Sequence, residues 1–229
     1  MKYLVLDTST EWCSVALWLD GRIHARRVLA GQRHSSLLLP MLDDLLRESD
    51  ISLRQLDGIA YGAGPGSFTG LRIACAVTQG LALGADLPVV GVSTLESIAE
   101  QTGAERVLAV LDARMAEVYW AAYRREGDGW QAVVEPQLAL PESVAVPDGD
   151  GWVGAGNGFV ALREVLRPRL AARLARIDDT LMPDAAAMAP LAARAFARGE
   201  GMDAALAAPV YLRDKVALTV DERRAKSAV

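Results

Sequence analysis

The chain has 229 residues, 52% of them hydrophobic, with 24 Lys and Arg against 29 Asp and Glu, giving a net charge of −5 and a pI near 5.1. That apolar content is enough for one large domain or two lobes of about 100 residues. The acidic balance excludes the basic footprint of an autonomous nucleic-acid binder.

From the N-terminus, Lys2 to Asp7 reads as a buried strand, and its apolar run is too short for a signal peptide. Cys13, Val15, Leu17 and Leu19 alternate with Trp12, Ser14, Ala16 and Trp18 as a period-two strand, and Asp20-Gly21 turns it into a third strand, Arg22 to Leu29. A helix follows over Ser35 to Glu48, with Leu38, Met41, Leu42, Leu45 and Leu46 recurring at three and four. Pro40 is expected in its first turn. A strand at Gly58 to Tyr61 leads through a glycine-dense loop to a second helix, Gly70 to Gly84. The apolar stretch Ala74–Val92 is broken by Gln79, Gly80, Gly84, Asp86 and Pro88, so no membrane span is expected and cytoplasm is the default compartment. Cys13 and Cys75 lack CxxC spacing and read as reduced, buried thiols. After a lobe boundary near Thr102 to Ala104 the scheme recurs: strands at Val107–Asp112, Val118–Tyr123 and Trp130–Val134, then helices around Gly158–Leu166 and Asp184–Arg198. Pro168 is expected to end the first of these helices, and the Asp148-Gly149-Asp150-Gly151 run marks a surface loop. The expected fold is α/β, with two ribonuclease-H-like lobes over residues 1–103 and 104–229.

The loop Gly62-Ala63-Gly64-Pro65-Gly66-Ser67-Phe68-Thr69-Gly70-Leu71-Arg72 leaves a strand and opens a helix, a geometry that aims backbone N–H groups at an anion. It does not fit a P-loop, which places Lys directly after its last Gly; here Leu71 follows Gly70, and the chain holds only Lys2, Lys215 and Lys226. Nor is it a nucleophile elbow, because the residues two either side of Ser67 are Pro65 and Thr69. Ser67 and Thr69 are better placed to cap the helix than to attack a substrate.

Three stretches carry a resemblance: Leu6-Asp7-Thr8-Ser9-Thr10 with Cys13-Ser14-Val15-Ala16-Leu17, Arg33-His34-Ser35 with Leu38-Leu39-Pro40, and the Gly64–Arg72 string. Asp112-Ala113-Arg114 with Glu117-Val118-Tyr119, and Pro209-Val210-Tyr211-Leu212-Arg213, extend it. Together they resemble the TsaB (YeaZ) family along nearly the whole chain, with Ala74 standing where family members usually have glycine. The motif loop Gly64, Pro65, Gly66, Ser67, Phe68, Thr69, Gly70 and Arg72 is its most specific part. The resemblance implies an actin/hexokinase-like (ASKHA) fold and a non-catalytic dimerisation subunit in making N6-threonylcarbamoyladenosine beside the anticodon of tRNA. It further implies a TsaD-like catalytic paralogue as heterodimer partner and a TsaE-like ATPase as third component.

The residues themselves bear on whether this chain is catalytic. Metal-dependent paralogues use two histidines four apart on one helix face; here His34 stands alone and His24 lies on a strand, so no metal site is expected. The hairpins that would wrap a nucleotide, Asp7–Glu11 and Asp112–Ala116, contain no glycine, and Glu11 would oppose phosphate. Asp7, Ser9 and Gly156 are the candidate contacts for a weakly bound nucleotide; no cofactor of its own is expected, and ATP with magnesium only within a partner complex. Leu38, Leu42, Leu45, Ile73, Val77, Gly80 and Leu81 are the candidate partner interface, serving a homodimer when the chain is alone; the alternative is that all of them are internal core. Arg163, Arg167, Arg169, Arg173 and Arg176 could touch a phosphate backbone or form a solvated surface, and tRNA is expected to be reached through the complex. The rival function is a free-standing small-molecule phosphotransferase on the same fold.

Overall fold

The computed structural model describes residues 1–213; Lys215, Lys226 and the rest of the C-terminal tail lie outside them. The first sheet is built from β1 (Lys2–Asp7), β2 (Trp12–Leu19), β3 (Arg22–Leu29), β4 (Gly58–Gly64) and β5 (Val89–Ser93), in the order β3-β2-β1-β4-β5. β1, β2 and β3 form an antiparallel meander, and β4 and β5 add in parallel. The second sheet repeats this arrangement: β6 (Arg106–Asp112), β7 (Val118–Glu126) and β8 (Gly129–Ala139) are antiparallel, while β9 (Val153–Ala155) and β10 (Arg176–Asp178) add in parallel on the other side of β6. Two lobes with one topology are what duplicated ribonuclease-H-like lobes require.

Because β1 is buried on both faces, its alternate residues serve different cores. Leu4 and Leu6 pack with the apolar sides of α1 (His34–Glu48) and α2 (Phe68–Ala85), whereas Val5 packs with Ala16, Ala60 and the alanine-rich face of α6 (Ala185–Ala197). α6 therefore lies in the 104–229 half of the chain but covers the sheet of the 1–103 half. The partition at residue 103 separates the strands of the two sheets, not the helices. Asp184 caps α6 by accepting from Ala186 N at 2.7 Å, and Ala185 N donates to Ser14 Oγ of β2 at 2.9 Å, which pins the helix start to the first sheet. α3 (Thr94–Gln101) reaches the other way: Leu95, Ile98 and Ala99 pack on the second sheet against Val107, Ala109 and Tyr123. The opposite face of that sheet is covered by α4 (Gly158–Ala161) and α5 (Arg163–Leu170) through Phe159, Leu166 and Leu170.

The lobes are fastened at the α3–α6 seam. Glu100 of α3 accepts from Trp130 Nε1 of β8 at 2.6 Å and pairs with Arg194 of α6 at 3.1 Å and Arg125 of β7 at 3.6 Å.

Three local expectations differ from the structure. Pro40 lies inside α1 beyond its first turn and faces solvent, where water can satisfy the carbonyl its missing N–H leaves free. Pro168 lies inside α5 rather than ending it. β8 extends well past Val134 and contains Pro136, which an edge strand tolerates on its unpaired side.

Candidate functional site

The glycine loop is shaped by what lies directly against it. Gly64 has φ +127°, and a Cβ there would meet the Val210 carbonyl oxygen at 2.6 Å; a Cβ on Gly66 would meet the Ser9 oxygen at 2.5 Å, and one on Gly70 would strike the Thr8 carbonyl. Ser67 N donates to Ser9 O at 2.7 Å and Thr8 Oγ1 donates to Gly70 O at 2.7 Å. The glycines thus let the loop lie on the Thr8–Ser9 turn, where Ser67 N is taken by the Ser9 carbonyl. Ser67 is the N-cap of α2, its Oγ accepting from Gly70 N at 3.3 Å. Thr94 Oγ1 donates to Pro65 O at 2.5 Å, Thr69 is exposed at the helix start, and Arg72 stacks 3.8 Å over the Phe68 ring.

Between the lobes lies a cleft of about 690 Å³, with Ser9, Thr10 and Glu11 on one lip, Asp112, Arg114 and Met115 on the other, and the glycine loop between them. Its fit to a nucleotide is poor. Asp7, the strand-end carboxylate, is fully buried beneath the cleft: Ser9 Oγ donates to its Oδ2 at 3.0 Å, Oδ1 has no hydrogen-bond partner, and Gly62 presses against it with no room for a Cβ. Burial pushes its pKa up to about 7, opposed by the Ser9 hydrogen bonds. Gly156 is buried against the Val110 carbonyl, its N–H taken by Asp178 O at 3.0 Å. Of the three candidate nucleotide contacts, only Ser9 borders the cleft. Asp112 is paired with Arg114 at 3.1 Å, and the Arg114-Met115-Ala116 turn holds three left-handed residues in succession, φ +61°, +56° and +59°, with none a glycine. His34 is buried with Nε2 3.2 Å from Trp12 O, and no group of three or more metal-ligating side chains occurs among the described residues.

The predicted interface separates into two sets. Leu38, Leu42 and Leu45 are buried between α1 and the first sheet, because the 38-41-42-45 spacing turns that face inward, and they pack in the first core; Leu42 also borders a groove with Leu39, Leu46, Ile51 and Leu81. Ile73, Val77 and Leu81 are half-buried at the margin of that core, and Gly80 is exposed. The outward surface also includes Leu39, 48% exposed, and Leu83, 63% exposed, beside Ala76 and Gly84. A Cβ at Gly80 or Gly84 would meet nothing within 4 Å. With 18 residues at mean hydropathy 1.2, α2 meets the length and apolarity of a membrane span, yet it packs Leu71, Ala74, Cys75 and Ala82 inward.

The arginines near α5 are engaged internally. Arg167 pairs with Asp179, Arg169 donates to Pro141 O at 2.8 Å, Arg173 pairs with Asp148 at 3.7 Å, Arg176 donates to Thr102 O at 2.7 Å, and Arg163 pairs with Glu164 at 3.1 Å. Arg169, Arg173 and Arg176 fasten loops to the second lobe, while the side chains of Arg163, Arg173 and Arg176 stay 69%, 52% and 51% exposed.

Comparison with known proteins agrees with this architecture. The family described as "TsaD: tRNA N6-adenosine threonylcarbamoyltransferase" matches residues 28–219. The chain is 44% identical to the tRNA threonylcarbamoyladenosine biosynthesis protein TsaB of Escherichia coli, over 95% of this chain and 96% of that protein, and 37% identical to the protein of the same name in Haemophilus influenzae, over 94% and 95%. The solved structure of YeaZ from Pseudomonas aeruginosa superposes with a TM-score of 0.84 at 43% identity, covering 92% of this chain and 99% of that one. The chain belongs to the TsaB (YeaZ) family.

Proposed function

We propose that this chain is a non-catalytic subunit in the biosynthesis of N6-threonylcarbamoyladenosine in tRNA, acting in the cytoplasm by pairing with a TsaD-like catalytic paralogue and working with a TsaE-like ATPase. The observation that carries the reading is the exposed small-residue row of α2. Glycine inside a helix costs about 1 kcal/mol relative to alanine, and neither Gly80 nor Gly84 meets any described atom that a methyl group would touch. Nothing among the described residues accounts for that cost; close approach of another helix would account for it. The interface is accordingly redrawn as Leu39, Ile73, Ala76, Val77, Gly80, Leu81, Leu83 and Gly84, and the same face serves a homodimer when the paralogue is absent.

The rival, a free-standing phosphotransferase, is disfavoured because the strand-end carboxylate Asp7 is sealed, while of the carboxylates on the cleft Glu11 would oppose phosphate and Asp112 is paired with Arg114. ATP and magnesium are assigned to the partner complex, and tRNA is reached through that complex because a chain of net charge −5 lacks the basic footprint of an autonomous binder. Co-purification with the TsaD-like protein tests the pairing: a stable complex lost in Gly80→Leu supports it, and a complex indifferent to every substitution on the α2 row sinks it.

A further inference from the structure

Residues 207–213 cross from the first lobe to the second over the glycine loop. Ala207 O accepts from Gln79 Nε2 of α2 at 3.2 Å, the Tyr61 hydroxyl both accepts from Ala208 N at 3.0 Å and lies 3.1 Å from Ala208 O, and Val210 N donates to Ala63 O at 2.7 Å. Arg72 of α2 then holds the strap from the side: its Nε donates to the Tyr211 hydroxyl at 2.9 Å while its guanidinium stacks on Phe68, whose ring centroid is 5.3 Å from that of Tyr211. On the far side Arg213, only 12% exposed, donates to Ala113 O at 3.1 Å and pairs with Glu117 at 2.6 Å.

Ala113 and Glu117 bracket the Arg114-Met115-Ala116 turn. Left-handed backbone is unfavourable for any residue with a Cβ, and three in succession persist only where the surroundings over-determine them. Within the turn, Asp112 Oδ1 accepts from Arg114 N at 2.8 Å and Ala113 N donates to Glu117 O at 3.0 Å. From outside, Asn157 Oδ1 accepts from Asp112 N at 2.9 Å at the base of the turn, and the Arg213 side chain grips Ala113 O and Glu117 at its two ends.

We propose that the 207–213 strap is a latch: Arg213 holds the strained tip of the β6–β7 hairpin in its left-handed form at the mouth of the interlobe cleft, and Arg72 couples that latch to the outward face of α2. Arg72 is exposed on the same helix as Ala76, Gly80 and Gly84, so a carboxylate of a partner lying on α2 competes with the Tyr211 hydroxyl for its guanidinium. Withdrawing Arg72 loosens Tyr211, the strap end and then the tip. The coupling rests on the reading of α2 as the partner-facing helix; the latch itself does not.

Amide hydrogen exchange at Ala113, Arg114 and Glu117 tests both parts. In the isolated full chain, Arg213→Gln speeds exchange at these amides by about tenfold or more, and Tyr211→Phe, which removes only the hydroxyl, speeds it by about threefold, while β1 amides keep wild-type protection and report an intact fold. Exchange within twofold of wild type in Arg213→Gln overturns the latch. On adding the TsaD-like protein to the wild-type chain, the same amides exchange about threefold faster or more; a complex that forms yet leaves them unchanged overturns the coupling. Failure to form any complex overturns the partner-facing assignment of α2, and the coupling with it, while exchange in the isolated Arg213→Gln chain still decides the latch by itself.

Discussion

Gly80 separates the needs of the monomer from those of the complex, because they predict opposite signs. In the isolated chain the position is exposed, within α2, with open space where a Cβ would stand. Gly80→Ala removes the conformational penalty of a helical glycine, about 0.8–1 kcal/mol, without a clash. For a chain of this size that raises Tm by about 2–4 °C. In the complex the same methyl enters a close helix crossing, and Gly80→Leu inserts a whole side chain; overpacking of that kind costs about 1–3 kcal/mol, or roughly 5- to 150-fold in Kd. Thermal unfolding of the variants beside titration against the TsaD-like protein measures both. The expected pattern is a more stable subunit that binds its partner more weakly. A Gly80→Leu chain that binds with wild-type affinity would refute the reasoning, since it would leave the glycine without a function in either state.

Asp7 makes wild-type stability fall between about pH 4 and pH 7: its folded pKa, pushed up to about 7 by burial, lies above the unfolded value, so the native state holds the proton more tightly and loses that advantage as pH rises. Asp7→Asn is therefore expected to match wild type near pH 4 and to exceed it at pH 8, by up to about 4 kcal/mol for a shift of three units; urea unfolding at both pH values checks this, and a difference independent of pH contradicts it. Glu100→Ala removes the partner of Trp130, Arg194 and Arg125 at the α3–α6 seam. The expected loss is about 1–3 kcal/mol by the same assay, because half-buried donors are left unpaired, and a loss below about 0.5 kcal/mol would show that the lobes are held elsewhere. Gly70→Ala drives a methyl against the Thr8 carbonyl and is expected to cost about 1–3 kcal/mol of stability; unchanged stability would mean that the loop can move off the turn.

The first meander and the helix α1 are legible in the sequence because β2 keeps a period of two beside a continuous apolar β1 and the Asp20-Gly21 turn, and α1 keeps a period of three to four. The same periodicity misleads at the interface: Leu38, Leu42 and Leu45 recur as a binding stripe would, but a row that faces a sheet and a row that faces a partner have the same spacing. What distinguishes the outward row is chemistry a core does not need, glycines at positions 80 and 84. Periodicity alone misses α3, although Ser93-Thr94-Leu95-Glu96 has the spacing of a helix start, and Ser93 Oγ does accept from Glu96 N at 3.3 Å. β9 and β10 are three residues each, too short to express a period. The burial of Asp7 has no local signature, since it depends on α6 folding back from the far end of the chain.

The central claim, a subunit that is required but does not itself catalyse, is tested most directly by reconstituting tRNA threonylcarbamoylation from purified TsaD-like protein, TsaE-like ATPase and this chain. The account predicts that modification is lost when the chain is omitted, is restored when it is added back, and that the chain alone neither hydrolyses ATP nor phosphorylates small acceptors. Modification that proceeds equally well without the chain, or ATP consumption by the chain alone, would contradict it.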